Sequence, residues 1–403
     1  MCTTSSARAL VALMRRIEFL GFRRPDGRVG VRNHVLVLPT VVCANGVIER
    51  FERETQELPL ALVTHQHGCG QFGDDLSLTL RTLTGIVTNP NVGGVALVSL
   101  GCETNQPSPL AEAAERAGKL VETFSIQQEG GVSHTFDVVQ KAVATMVREL
   151  SRMPREPAGA FELVVGLECG GSDAWSGITA NPALGRAADI LVEAGATVIL
   201  AETPEAIGAE HLLAERAGDP LVAEQLRERV TAWEKQANSR GVDIRGAQPA
   251  VGNIAGGLST IEEKSIGSLQ KGGSTPLNEV IDYAERPTKR GLVFMDTPGQ
   301  DIEQVTGMAA GGAQIVCFTT GRGTPTGSPI VPVIKIASNS RIAEMLAEHI
   351  DLDAGRIASG NATLPQVAEE IVSAILDTSS GELTASERGR HREFAIPRLW
   401  TSL

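Results

Sequence analysis

The sequence predicts an α/β fold: two Rossmann-like, doubly wound domains built on mostly parallel sheets. Three observations carry that expectation. Short apolar runs of Val, Ile, Leu and Ala alternate with amphipathic helical stretches along most of the chain. Aromatic residues make up only 3% of the 403, while glycine numbers 43, which suits aliphatic cores joined by tight loops. Run after run ends in a polar, glycine-bearing loop, the geometry that collects side chains and free N–H groups at the carboxyl edge of an open sheet.

In order, residues 1–20 are a lead-in, 21–155 a first α/β domain, and 156–403 a second that carries the catalytic region. Ala7 to Phe19 has a mild amphipathic pattern with Arg15 and Arg16. It reads as a short helix, too polar for a secretory signal. Gly21 to Asn33, GFRRPDGRVGVRN, is polar and turns at Pro25-Asp26-Gly27. It reads either as an anion-binding or subunit-contact arm, or as a solvated loop. Val35 to Leu38 is a buried strand, with a helix through Val47 to Glu57 after it. Leu58 to Thr64 is the next strand, running into His65-Gln66-His67-Gly68-Cys69-Gly70-Gln71. A helix over Leu76–Val87 leads to the strand Val95–Leu100, which ends in Gly101-Cys102-Glu103-Thr104-Asn105-Gln106. The helix Leu110–Ala117, the strand Lys119–Phe124 and the helix Phe136–Leu150 complete the unit. Right-handed crossovers bring the strand ends to one edge, so the His67/Cys69 and Cys102/Glu103 loops should lie together.

Ser151 to Gly159, polar and with two prolines, reads as the domain boundary. Next, Leu163 to Leu167 is a buried strand that delivers Glu168, Cys169, Ser172, Asp173, Ser176 and Asn181 among Gly170, Gly171 and Gly177. Asn181 is placed to cap the following helix, with Pro182 at its first position. The strand Thr197–Leu200 ends in Glu202-Thr203-Pro204. Charged helical stretches follow around Ala209–Ala217 and Pro220–Ser239, and a helix from about Thr260 to Gln270 bears Lys264, with Lys271 just past it, about two turns on. Leu292–Met295 and Gln314–Phe318 are strands ending in Asp296-Thr297-Pro298-Gly299 and Thr319-Thr320-Gly321-Arg322-Gly323. Val331–Ala337 is the last strand; Pro332 means that it starts there or lies at an edge. The helices Arg341–His349 and Leu364–Leu376 and a charged tail close the chain.

The net charge of −12 argues against nucleic acid or an anionic membrane as the main partner. No apolar run reaches the roughly eighteen residues needed to span a bilayer. Six scattered cysteines without a C-x-x-C pair fit a reducing cytoplasm. The lone G-x-G-x-x-G at Gly68–Gly73 follows a predicted strand, but no acidic residue closes the next strand to hold a ribose. Neither a phosphate-binding G-x-x-x-x-G-K-[ST] nor a G-x-S-x-G elbow occurs.

Cys69, Cys102 and Cys169 each end a strand beside glycine. With His65, His67 and Glu103 they make a thiol, imidazole and carboxylate set suited to iron or zinc. A mononuclear iron ranks above an iron–sulfur cluster with an open iron. The expected metal ligands are His67, Cys69, Cys102 and Cys169. Lys264, Lys271, Arg322 and the helix start at Asn181 are placed to bind a carboxylate, unless the lysines form a solvated helix face.

The stretches GFRRPDGRVGVRN, HQHGCGQ, LGCETNQ, ECGGSDAWSGITANPALG, GNIAGGLSTIEEKSIG, KGGSTPLNEV, VFMDTPG and CFTTGRG resemble the altronate/galactarate dehydratase family, in the same order from about Gly21 to at least Ala337. The resemblance implies removal of water from a sugar acid to give a 2-keto-3-deoxy acid, with Fe2+ or another divalent metal. The family also includes the large subunit of sulfolactate sulfo-lyase, which releases sulfite, and the tail GRHREFAIPRLW is closer to that branch. Full-length members carry a small β-rich domain ahead of the Gly21 arm. The resemblance therefore implies the large subunit of a split enzyme, completed by a small β-rich partner and self-associating. The arm's Arg23, Arg24, Arg28 and Arg32 would then meet an acidic partner surface or the incoming substrate.

Elimination needs a base for the proton α to a carboxylate, a cation for the enediolate and an acid for the leaving group. His65, His67, Glu103, Asp173 and Lys264 are the catalytic candidates, with no unique assignment among them. Substrate contacts are expected from Asn105, Gln106, Gly171, Ser172, Ser176, Asn181, Lys271, Thr319, Thr320 and Arg322. A non-catalytic acid-binding protein is the alternative from another class. The presence of Cys69, Cys102, Glu103, Cys169 and Asp173 weighs against it.

Overall fold

The computed structural model describes residues 17–55 and 59–400. Most of the expected lead-in helix, and the junction at Glu57 and Leu58, lie outside them. Two parallel sheets form the body. In the first, the strands run in the order Leu60–Leu62, His34–Pro39, Val92–Ser99, Leu120–Ser125. The second has seven strands: Leu277–Ile281, Gly291–Met295, Thr197–Leu200, Val164–Cys169, Ile315–Thr320, Val333–Ala337 and Leu352–Asp353. The chain is α/β as expected, with an antiparallel sheet added to the parallel ones.

Alternation along each strand divides the side chains between layers. Val35 and Val37 pack outward on the helices Asn45–Glu54 and Val132–Leu150, through Val47, Phe51, Phe136 and Val143. Leu36 and Leu38 face the other way, into one core with Ile199, Val293 and Phe318 of the second sheet. The helices Gly73–Val87 and Asp301–Ala310 lie in that shared layer. They meet backbone to backbone: a Cβ on Gly85 would stand 2.2 Å from the Ala310 carbonyl oxygen. The far face of the second sheet carries Val165, Leu167, Ile315 and Ile336 onto the helices Ala180–Glu193 and Leu364–Ser379. Each such aliphatic side chain contributes about 1.5–3 kcal/mol by leaving water.

Four expectations need correction. Glu18–Arg23, expected as the end of a helix and the start of a loop, is a strand. It pairs antiparallel with Val29–Gly30 and with Glu156–Gly159, the end of the expected linker. The arm's arginines are internal clamps. Buried Arg24 donates to Pro90 O (2.7 Å), Asn33 Oδ1 (2.7 Å) and Arg32 O (2.9 Å). Arg32 forks onto Glu387 at 2.7 and 2.8 Å and also holds the Thr378 and Glu382 carbonyls. Arg28 binds Asp26 and Thr88 O, and Arg23 binds Glu162 at 2.9 Å. Arg24 and Arg32 satisfy buried carbonyls in this way, while Arg28 pairs with Asp26 and the exposed Arg23 with Glu162. The helix expected to start at Pro182 starts at Ala180, and Asn181 does not cap it, because its side chain is spent on Gly267 and Thr319. Val331–Ala337, expected as the last strand, begins at Val333 just after Pro332 and is followed by the edge strand Leu352–Asp353, which pairs with it.

Candidate metal and substrate site

The carboxyl ends of the central strands of the second sheet deliver Cys169, Glu202, Thr297, Thr319 and Thr320 to one edge. Gly171 turns the first loop with φ +60°, which keeps its carbonyl on the Gly321 N–H at 3.2 Å. Glu202 has φ 76°, unusual for a residue with a side chain, at a cost of about 1–2 kcal/mol. Its N–H donates to Thr297 Oγ1 at 2.9 Å, which holds that turn.

The strained turn aims Glu202 at Cys169. The thiol donates toward Glu202 Oε2 at 3.3 Å and toward Glu205 Oε2 at 3.5 Å, and all three residues are buried. Their ligand atoms lie within 4.8 Å of one another. Around a tetrahedral ion, a sulfur at about 2.3 Å and an oxygen at about 2.0 Å stand about 3.5 Å apart. The donor set therefore fits a divalent ion in both spacing and chemistry. Behind it, Glu168 is fully buried, and neither of its carboxylate oxygens has a partner.

Two lysines enter the same cluster. Lys264 Nζ lies 2.6 Å from Glu205 Oε1. Lys271, wholly buried, reaches the Glu202 carboxylate, Ser268 Oγ at 2.6 Å and Cys169 Sγ at 3.2 Å. Burial, then the neighbouring Glu205, lifts Glu202 to about 7 despite Lys271. Burial and then Glu202 push Glu168 and the Cys169 thiol well up. Burial would also raise Glu205, but Lys264 and Lys271 hold it below the usual range. For Lys271, burial is outweighed by Cys169, Glu202 and Glu205, and the ammonium is kept.

A cavity of about 200 Å³ opens beside the cluster, lined in part by Ser172, Asp173, Ser176, Asn181, Lys264 and Ser268. Ser172 Oγ lies 3.8 Å from Cys169 Sγ. Asp173 is engaged on both oxygens, by Ser176 and Ser338 on Oδ1 and by Asn339 on Oδ2. Asn181 accepts from Thr319 Oγ1 at 2.6 Å, Thr320 Oγ1 accepts from the Gly323 N–H, and Arg322 is exposed nearby.

The first sheet's loops do meet: the Thr104 and Asn105 N–H groups both donate to Gly68 O, at 3.0 and 3.2 Å. Gly68 is required there, since a Cβ would stand 2.3 Å from Thr40 O. His65 has both ring nitrogens engaged, on Pro39 O and the His67 N–H, and burial lowers it to about 4. His67 is tied to Ile396 O and Gln71, and burial lowers it too. Glu103 is drawn up by burial but held below its usual range by Thr40 and the Gly101 and Leu100 N–H groups. Gln106 donates to Glu103 O, and Asn105 to Thr40 O.

The expected ligand set of His67, Cys69, Cys102 and Cys169 is not assembled. Among the described residues, the grouping found is Cys169 with Glu202 and Glu205, while Cys69 and Cys102 are exposed. The physical reason is that Cys69 and Cys102 follow strands of a different sheet, and His67 spends its nitrogens on Ile396 O and Gln71. Glu202 and Glu205 were not expected as ligands. The signal was present, since Glu202 lies two residues past the end of the strand Thr197–Leu200, next to the strand that Cys169 ends.

Two family models cover the chain. The D-galactarate dehydratase/altronate hydrolase second domain matches residues 21–151, and the D-galactarate/altronate dehydratase C-terminal domain matches residues 160–402. The chain belongs to the D-galactarate/altronate dehydratase family. Within it, the chain is 37% identical to an altronate dehydratase of Bacillus subtilis (strain 168) over 392 residues, covering 94% of this chain and 77% of that one. Identity to an altronate dehydratase of Escherichia coli (strain K12) is 39%, covering 93% and 76%. A (2R)-sulfolactate sulfo-lyase subunit beta of Chromohalobacter salexigens is also 39% identical, covering 95% of this chain and 98% of that subunit. No helix among the described residues is long and apolar enough to cross a membrane.

Proposed function

We propose that the chain is a metal-dependent hydro-lyase that dehydrates a sugar acid of the altronate/galactarate type to a 2-keto-3-deoxy acid. The observation that carries this reading is the buried Cys169/Glu202/Glu205 set beside a polar cavity, in a chain of this family. Cys169, Glu202 and Glu205 would hold the ion, and Fe2+ is the ion we assign, because one thiol among carboxylates is a mixed soft and hard donor set. When bound it supplies a Lewis acid for the substrate's carboxylate and hydroxyl oxygens.

The chain's own groups divide the remaining work. Arg322 and the Gly171 loop at the rim receive the substrate carboxylate, and Ser172 and Ser176 its hydroxyls. Lys264 Nζ, at the cavity wall, gives the departing β-hydroxyl the proton it needs, and the proton taken from the α carbon by water in the polar cavity restores the ammonium. Asp173 is a positioning residue: with Oδ1 on Ser176 and Ser338 it fixes the loop. His65, His67 and Glu103 organise the first sheet's loops, with Asn105 and Gln106 beside them. The doubly wound arrangement of both sheets gives these loops a common origin.

A second reading, sulfolactate sulfo-lyase, is favoured by the match along 98% of the beta subunit, against 77% and 76% of the altronate dehydratases. Sulfite would then leave in place of water. Since that relative is named a subunit, we assign this chain a small β-rich partner and self-association, in a reducing cytoplasm that keeps its thiols free. Stripped protein, co-expressed with a small partner, should turn over a panel of aldonates, aldarates and sulfolactate only after Fe2+ is restored. A 2-keto-3-deoxy product supports the first reading and sulfite the second. Equal turnover without metal would overturn the metal assignment.

A further inference from the structure

Lys271 occupies an unusual place. Its ammonium touches two of the three atoms that would hold an ion, Cys169 Sγ at 3.2 Å and the Glu202 carboxylate. It is also held by Ser268 Oγ at 2.6 Å, three residues back and so on the same side of the turn. No part of the side chain reaches solvent. An ion bound between Cys169 and Glu202 would need the space and the lone pairs that Nζ now uses, and two cations cannot share them.

We propose that Lys271 is the resident cation of this site, and that a divalent ion enters only by displacing its ammonium from Cys169 and Glu202. The proposal rests on the metal reading above. Lys271 sets its positive charge against Cys169 and Glu202 in the absence of an ion, on a flexible four-carbon stem. Ser268, which touches both Nζ and Cys169 Sγ (3.4 Å), anchors the lysine in the closed position. The site is therefore tuned for exchange rather than for tightest binding, and metal affinity is set by a residue that need not be a ligand.

The test is a titration of the full chain with Co2+, read by the thiolate-to-cobalt charge-transfer absorption. K271M should bind Co2+ at least about tenfold more tightly than the wild type, and S268A should shift the same way by less. C169S should show no such band. The Co2+-induced rise in melting temperature should also be larger in K271M than in the wild type. Should K271M fail to fold without metal, S268A decides alone. Equal or weaker affinity in the folded variants overturns the role of Lys271 while leaving the metal site standing. Absence of the band in wild type, K271M and S268A alike refutes the metal reading itself.

Discussion

Glu205 accepts from Lys264 at 2.6 Å on one carboxylate oxygen and faces the Cys169 thiol at 3.5 Å with the other. One residue thus links the cavity wall to the buried thiol. C169S should lower divalent-metal affinity by at least about 10–100-fold, since even indirect partners of a ligand are worth that much. Equilibrium dialysis with elemental analysis checks it, and undiminished binding would rule Cys169 out as a ligand.

Lys264→Met should cut turnover on the order of 10²–10⁴-fold through loss of proton delivery at the leaving group. The loss should persist at saturating metal, which separates this effect from that of Cys169→Ser. A loss of metal equal to the loss of rate would instead make Lys264 a support of the ligand set.

Removing metal should lower stability. An ion present at 100 times its dissociation constant adds about 2.7 kcal/mol, because it binds only the folded chain. Urea titrations with and without chelator measure this, and coincident curves would contradict it.

The Arg32–Glu387 pair makes stability depend on acid. Burial opposes ionisation of Glu387, yet Arg32 holds its carboxyl below the usual range. Its contribution is full above the unfolded value, near 4.3, and is lost as pH falls through the lower folded value. E387Q should cost roughly 3–5 kcal/mol at pH 7, because Arg32 is left buried without its counter-charge. The variant should also show a shallower loss of stability below about pH 4 than the wild type. Parallel denaturation series from pH 7 to 3 decide the point.

Gly85→Ala should destabilise by roughly 1–3 kcal/mol or more, since its methyl meets the Ala310 backbone rather than a side chain that can turn aside. Chemical denaturation reads the change. A neutral result would mean that the two helices separate without cost.

The central parallel strands were legible in the sequence because each is a buried aliphatic run closed by glycine or a polar loop, whereas the half-buried edge strands Leu277–Ile281 and Leu352–Asp353 were not. Leu163–Leu167 and Gln314–Phe318 differ from the observed strands by only a residue or two at each end. The antiparallel sheet was not legible: Glu156-Pro157-Ala158-Gly159 has no alternating apolar face, and its partner Glu18–Arg23 lies far back in the chain. At the site, Cys169 and the lysines could be read from strand-end position and helical spacing. Glu205 could not, because a short 3-10 turn over Thr203–Ala206, not the strand, carries it to the thiol. Cys69 and Cys102 misled for the opposite reason. The sequence already put them in the first domain and Cys169 in the second, but a shared strand-end pattern does not say that side chains of two sheets meet.

The seat of Gly85 against Ala310 also bears on how such chains can be recombined. Residues 21–151 and 160–402 match separate family models, yet they press together there with no room for a methyl group. A hybrid that joins the first segment of one relative to the second of another inherits a fitting problem at that seam. Small residues would be needed on both helices at once, so the two segments are exchangeable only as matched halves.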